Sequence, residues 1–217
     1  MEKSKRRFIF SVFVQDLIAK PLAKIMIRLK ISANFVTLLG LAFAIFSGLA
    51  YLYKFYLTGS LLFFLALVMD STDGRVARGT NTFSDFGAKL DSLADKVRSF
   101  FVAFLFLLSL KLDLTNVMLL FGFYITLPLI RFLCIRKDKN FYDPTILFWD
   151  ATPFKNWFIK KRVLGLYTGW ERSVVALMIA PLSTIKIEVF IFAVLLEQIL
   201  FIVGLCFFKK SKIGIEL

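Results

Sequence analysis

Four aspartates set the chemical question. Asp70 and Asp73 stand three residues apart, Asp91 and Asp95 four apart, so on helices each pair shares one face. An apolar run, 61–69, leads into them and another, 100–108, follows. An ionisable group at membrane depth costs about 2.5–3.5 kcal/mol even on the lenient insertion scale, which makes function its default explanation. Two helices packed side by side would gather the four carboxylates around one small volume. Bound divalent cations are the simplest source of the charge that compensates them. Hard oxygen donors suit Mg²⁺, Mn²⁺ or Ca²⁺ and argue against zinc. The chain holds no histidine, which excludes imidazole catalysis.

The chemistry these residues suggest is metal-assisted transfer at phosphorus. Two divalent ions about 4 Å apart would neutralise and polarise a diphosphate. One carboxylate on the open side could take the proton of an attacking hydroxyl. Gly74 and Ala77, on the turn after Asp73, leave room for a planar base and a ribose. Gly87, one turn before Asp91, is expected to let the two carboxylate-bearing helices pack tightly.

The stretch fits the pattern D-x2-D-G-x2-A-R-x8-G-x3-D-x3-D at all eight fixed positions: Asp70, Asp73, Gly74, Ala77, Arg78, Gly87, Asp91 and Asp95. From ordinary residue usage, the odds of a chance match are on the order of 10⁻¹⁰ per start site. In these residues the chain resembles the class I CDP-alcohol phosphotransferases, and the likeness extends loosely to the whole helical layout. The resemblance implies that Asp70, Asp73 and Asp91 hold two ions, Mg²⁺ or Mn²⁺, and that Asp95 is both ligand and general base. It puts Gly74, Arg78 and Ser84 on a CDP-linked donor, usually CDP-diacylglycerol or its archaeal ether counterpart. The acceptor hydroxyl then attacks the lipid-side phosphorus and CMP leaves. Asn34 and Thr37 match an Asn-x-x-Thr that family members carry near the nucleotide; read from the residues alone, helix capping explains them equally well.

The family's small branches use glycerol 3-phosphate, inositol phosphate, inositol or serine as acceptor. Lys96, Arg98, Arg131 and Arg172 could form a basic pocket near the aspartates, suited to a phosphorylated acceptor. Interfacial snorkelling is the alternative for each arginine. Glu171 and Arg172 resemble a pair in the inositol-phosphate branch, whereas the run from Asp91 to Asp95 is as similar to serine- and glycerophosphate-using members. A phosphorylated acceptor is the first expectation, serine or inositol the alternative. A divalent-cation transporter is the reading from a different class. It would spread ionisable residues through the membrane depth, and it gives Gly74, Ala77 and Arg78 no purpose.

Helices must carry these residues. With 59 % hydrophobic content over 217 residues and a mean hydropathy of +0.76, the chain reads as one all-α integral membrane domain spanning 1–217. An amphipathic juxtamembrane helix is expected within 1–30, lying in the interface plane with a kink or fresh start at Pro21. Six transmembrane helices are expected across 34–208, at about 34–53, 58–78, 85–110, 114–135, 166–184 and 187–208, and then a cytoplasmic tail, 209–217. Gly40, Ala44 and Gly48 form a ridge of small residues that admits a neighbouring helix. A turn is expected at 79–82, and a polar basic loop at 136–163 carries Trp149 and Trp157.

Of the 28 lysines and arginines, only Lys54, Lys111 and Lys186 fall on the opposite side in this layout. That bias places both termini and the aspartates on the cytoplasmic side of a prokaryotic cell membrane. The net charge of +13 then faces lipid headgroups and phosphorylated substrate rather than nucleic acid. Cys134 and Cys206 lie in apolar segments and read as reduced packing residues. The amino end lacks a small-residue cleavage site and is expected to be retained. The phenylalanines read as lipid-facing filler, Glu197 and Gln198 as a dimer contact or a mutually satisfied pair, and the protein as a homodimer.

Overall fold

The computed structural model describes residues 15–137 and 169–213, which form seven helices and no strand. The 138–168 part of the expected basic loop, Trp149 and Trp157 included, lies outside the described residues. Helix α1 is Lys20–Arg28, preceded by a π turn at Gln15–Ala19. The proline ring fits a first helical turn, where its missing N–H has no partner to lose, so Pro21 starts the α-helical segment rather than kinking it. Ala19 and Ala23 are buried, and α1 packs against α3 with Lys20, Lys24 and Arg28 exposed.

Helix α2, Ala33–Leu52, and helix α3, Tyr56–Thr80, form the most extensive helix pair. Both are long and apolar enough to cross a membrane. Ser32 caps α2, its hydroxyl accepting from the Phe35 backbone N–H at 3.3 Å. Capping therefore falls to Ser32, not to Asn34 or Thr37. A Cβ on Gly40 would stand 3.0 Å from the Met69 Cβ of α3, so this end of the small-residue ridge is what lets α2 and α3 close. Asn81, in the left-handed region at φ 52°, stops α3 two residues later than the sequence suggests.

Helix α4 spans 85–109, its segments Asp85–Lys96 and Val102–Ser109 joined by a π turn at Val97–Phe101. Helix α5 is Leu114–Lys137 and α7 is Lys186–Ile213, which continues helical through the start of the expected tail. Helix α6, 169–182, passes from α-helix through a π turn to a 3-10 turn at Ala180–Leu182. Pro181 cannot donate to the carbonyl four residues back, and that carbonyl, Leu177 O, instead accepts from the Tyr51 hydroxyl of α2. Ser60 of α3 donates to the adjacent Met178 O at 3.0 Å.

The core is aromatic. Tyr51, Phe63, Phe106, Tyr124 and Phe190 are fully buried. Tyr124 stacks on Phe190 at 5.4 Å, and Phe106 packs edge-on against Tyr51 at 5.5 Å. These phenylalanines join the helices, contrary to a purely lipid-facing role. Phe35, Phe46 and Phe192 do face outward, with Leu38, Leu61 and Ile202.

Candidate active site

The N-terminal end of α2, the C-terminal end of α3 and the N-terminal half of α4 meet around a cavity of about 260 Å³. From α2 come Asn34 and Thr37; from α3 come Asp73, Gly74, Ala77 and Arg78; Ser84, Gly87 and Asp91 come from the start of α4. Every residue expected near the nucleotide thus lines one space, just under the roughly 300–1,000 Å³ of ligand pockets. The walls are mostly small side chains, and Phe83 adds the one aromatic ring among the lining residues. The sequence reading missed Phe83, and its place in an otherwise polar turn was the available signal.

Local chemistry fixes these side chains. The Ser84 hydroxyl accepts from the Gly87 backbone N–H at 3.0 Å, capping α4 at the mouth of the cavity. A Cβ on Gly87 would meet Asn34 Oδ1 at 2.8 Å. Its bare backbone therefore admits Asn34 of α2, rather than the other carboxylate-bearing helix as expected from sequence. The Arg78 guanidinium folds back over Gly74, 3.3 Å from where that residue's Cβ would stand.

The aspartates divide into three and one. Carboxylate oxygens of Asp70, Asp91 and Asp95 all lie within 4.8 Å of one another. Asp73 is buried and held apart: Thr37 Oγ1 donates to its Oδ2 at 2.6 Å and also approaches the Ala33 carbonyl at 3.1 Å. Opposed ligand atoms on Mg²⁺ stand about 4.2 Å apart, twice the usual bond length. Separations of up to 4.8 Å are on that scale, and an all-carboxylate donor set suits a hard divalent ion.

Arg98 completes the cluster. Its Nη2 donates to Asp70 Oδ1 at 3.0 Å and to Asp95 Oδ1, and its side chain is 10 % exposed. Arg172 is buried too, with Nη1 3.0 Å from Glu197 Oε2 of α7 and its guanidinium 4.5 Å over the Tyr124 ring. Gln198 donates to the Phe123 carbonyl at 3.1 Å. Two of the four cations expected to grip an acceptor are therefore engaged inside the protein, and Glu197 and Gln198 bind neighbouring helices rather than each other. Lys96 is exposed on α4. Arg131 lies on α5, with its side chain outside the described residues.

A family model described as CDP-alcohol phosphatidyltransferase matches residues 30–208. Over 47 residues the chain is 57 % identical to CDP-diacylglycerol--serine O-phosphatidyltransferase of Methanocaldococcus jannaschii, a stretch covering 22 % of this chain and 23 % of that relative. No solved structure matches.

Proposed function

The chain belongs to the CDP-alcohol phosphatidyltransferase family, and on that premise we propose that it is a membrane enzyme of phospholipid synthesis, moving a phosphatidyl or archaeal ether-lipid group from a CDP-alcohol to a small polar alcohol. One observation carries the reading: the residues expected near the nucleotide share a cavity with Asp91, which also belongs to the carboxylate trio. A nucleotide in that cavity has its diphosphate beside the carboxylates. The cation-transporter alternative offers no use for such a cavity.

In the proposed reaction the acceptor oxygen bonds to the lipid-side phosphorus, the bond from that phosphorus to the CMP phosphate breaks, and CMP departs. Asp95, whose side chain is 52 % exposed, takes the hydroxyl proton. Two Mg²⁺ or Mn²⁺ ions, held by Asp70, Asp91 and Asp95 with Asp73 contributing from the cavity side, would neutralise the diphosphate and polarise the phosphorus under attack. Thr37 orients Asp73, and the narrow wall at Gly74 and Ala77 admits the base and ribose. Arg78 approaches the donor phosphates from the rim. The site faces the cytoplasm, where soluble acceptor and CMP exchange, while the donor tails stay in lipid.

A serine-class acceptor is favoured over a phosphorylated one. Arg98 and Arg172 are each committed to a carboxylate, and the M. jannaschii relative is named for serine. The likeness of Glu171 and Arg172 to the inositol-phosphate branch keeps inositol phosphate and glycerol 3-phosphate as the second reading. Purified protein given CDP-diacylglycerol, Mn²⁺ and each acceptor in turn is expected to release CMP with serine. A loss of 10²-fold or more in kcat is expected for Asp95→Asn, the usual scale for a removed general base. Wild-type turnover in that variant would remove Asp95 from the role. The mass of the same preparation in detergent tests the expected homodimer.

A further inference from the structure

Arg98 bridges α3 and α4 through two of the three carboxylates that could hold an ion. Its Nη2 reaches Asp70 Oδ1 at 3.0 Å and also Asp95 Oδ1, one carboxylate on each helix. Those two residues and Asp91 make up the trio within 4.8 Å. In the proposed transfer to serine, this guanidinium pairs with the protein's own carboxylates rather than with a substrate charge. A lone pair aimed at an N–H is not aimed at a metal, and a positive charge a few ångströms from a divalent ion repels it. Arg98 donates no hydrogen bond to Asp91, which opens on the cavity. An ion arriving from the cavity therefore meets Asp91 first and the guanidinium last.

We propose that Arg98 sets the metal affinity of this centre from within, competing with the divalent ion for Asp70 and Asp95 and keeping it weaker than three bare carboxylates would make it. The inference rests on the metal-centre reading above. Arg98 is then a positioning residue, acting through two carboxylates rather than on substrate. The same contact ties α3 to α4, so losing the charge has two opposite effects. Metal binding tightens while the protein without metal loses stability. A merely structural arginine would give only the second.

The test is calorimetric titration of Mn²⁺ into the full chain in detergent, without donor or acceptor, with melting recorded in EDTA and in Mn²⁺. Arg98→Gln removes the charge and keeps a donor. It is expected to tighten Mn²⁺ binding about tenfold or more, the scale on which a neighbouring charge shifts an ionic equilibrium. Its melting temperature should fall in EDTA, widening the gap to the Mn²⁺ value. Arg98→Lys keeps the charge but reaches one carboxylate at a time, and is expected to tighten binding by a smaller factor; it carries the test alone if Arg98→Gln does not fold. Unchanged or weaker Mn²⁺ affinity in the folded variants, beside measurable wild-type binding, overturns the proposal. No Mn²⁺ binding by the wild type or either variant would instead remove the metal centre, and the inference with it.

Discussion

Thr37 shows how a motif carboxylate depends on a residue outside the motif. Its hydroxyl is 2.6 Å from Asp73 Oδ2, and both residues are buried. Thr37→Val keeps the shape and removes the donor, leaving a buried carboxylate oxygen unsatisfied at about 1–3 kcal/mol. The variant is expected to melt lower in detergent and to release CMP more slowly because Asp73 is no longer oriented, whereas Thr37→Ser retains both properties. Equal behaviour of the Val variant and the wild type would show that Asp73 is held by other means. The pattern from Asp70 to Asp95 was legible in sequence because its spacing is local: residues three or four apart on a helix meet whatever the tertiary structure. Arg98 carried the same signal, three residues after Asp95, but its charge fitted an acceptor pocket equally well. The contact between Arg172 and Glu197 spans helices α6 and α7, and no local spacing announces such a pair.

The helices themselves were the easier part. Long apolar runs between polar turns gave their approximate limits, and the ridge at Gly40, Ala44 and Gly48 pointed to a close helix neighbour. Gly40→Val sets a side chain against the Met69 Cβ, 3.0 Å from the new Cβ position. Overpacking of this kind costs about 1–3 kcal/mol, and the cavity-forming ends of α2 and α3 should separate with it. Gly122 in α5 is the control, since a Cβ there meets nothing within 4 Å; Gly122→Ala is expected to hold stability or raise it by about 0.4–1 kcal/mol. Thermal melts of the two variants check the contrast, and a Gly40→Val protein as stable as the Gly122→Ala one would mean that α2 and α3 have slack. What periodicity did not reveal was the π turn after Asp95 and the one after Val174. A π turn adds one residue without changing the apolar character of the segment, so composition is blind to it. Pro181 was the trace left in sequence, and its consequence needed Tyr51, 126 residues away along the chain from Leu177.

At the scale of the molecule, the connections sort into two ends. Tyr56 at the start of α3 reaches the Ser109 carbonyl at the end of α4 at 3.5 Å, and Lys186 at the start of α7 lies 4.7 Å from the Tyr56 ring centre. Lys54, Lys111 and Lys186 therefore belong to the end away from the aspartates, the same three that the charge count set apart from the other 25. If the chain sits in a bilayer with its basic end inside, the two ends must differ in access to a reagent that cannot cross lipid. With Cys134 and Cys206 changed to alanine, Lys20→Cys is expected to react with an impermeant maleimide in inside-out vesicles and to be protected in right-side-out ones. Lys54→Cys and Lys111→Cys should show the reverse. Reaction of all three from one side would contradict an orientation that positions the carboxylates where soluble acceptor and departing CMP can exchange with the cytoplasm.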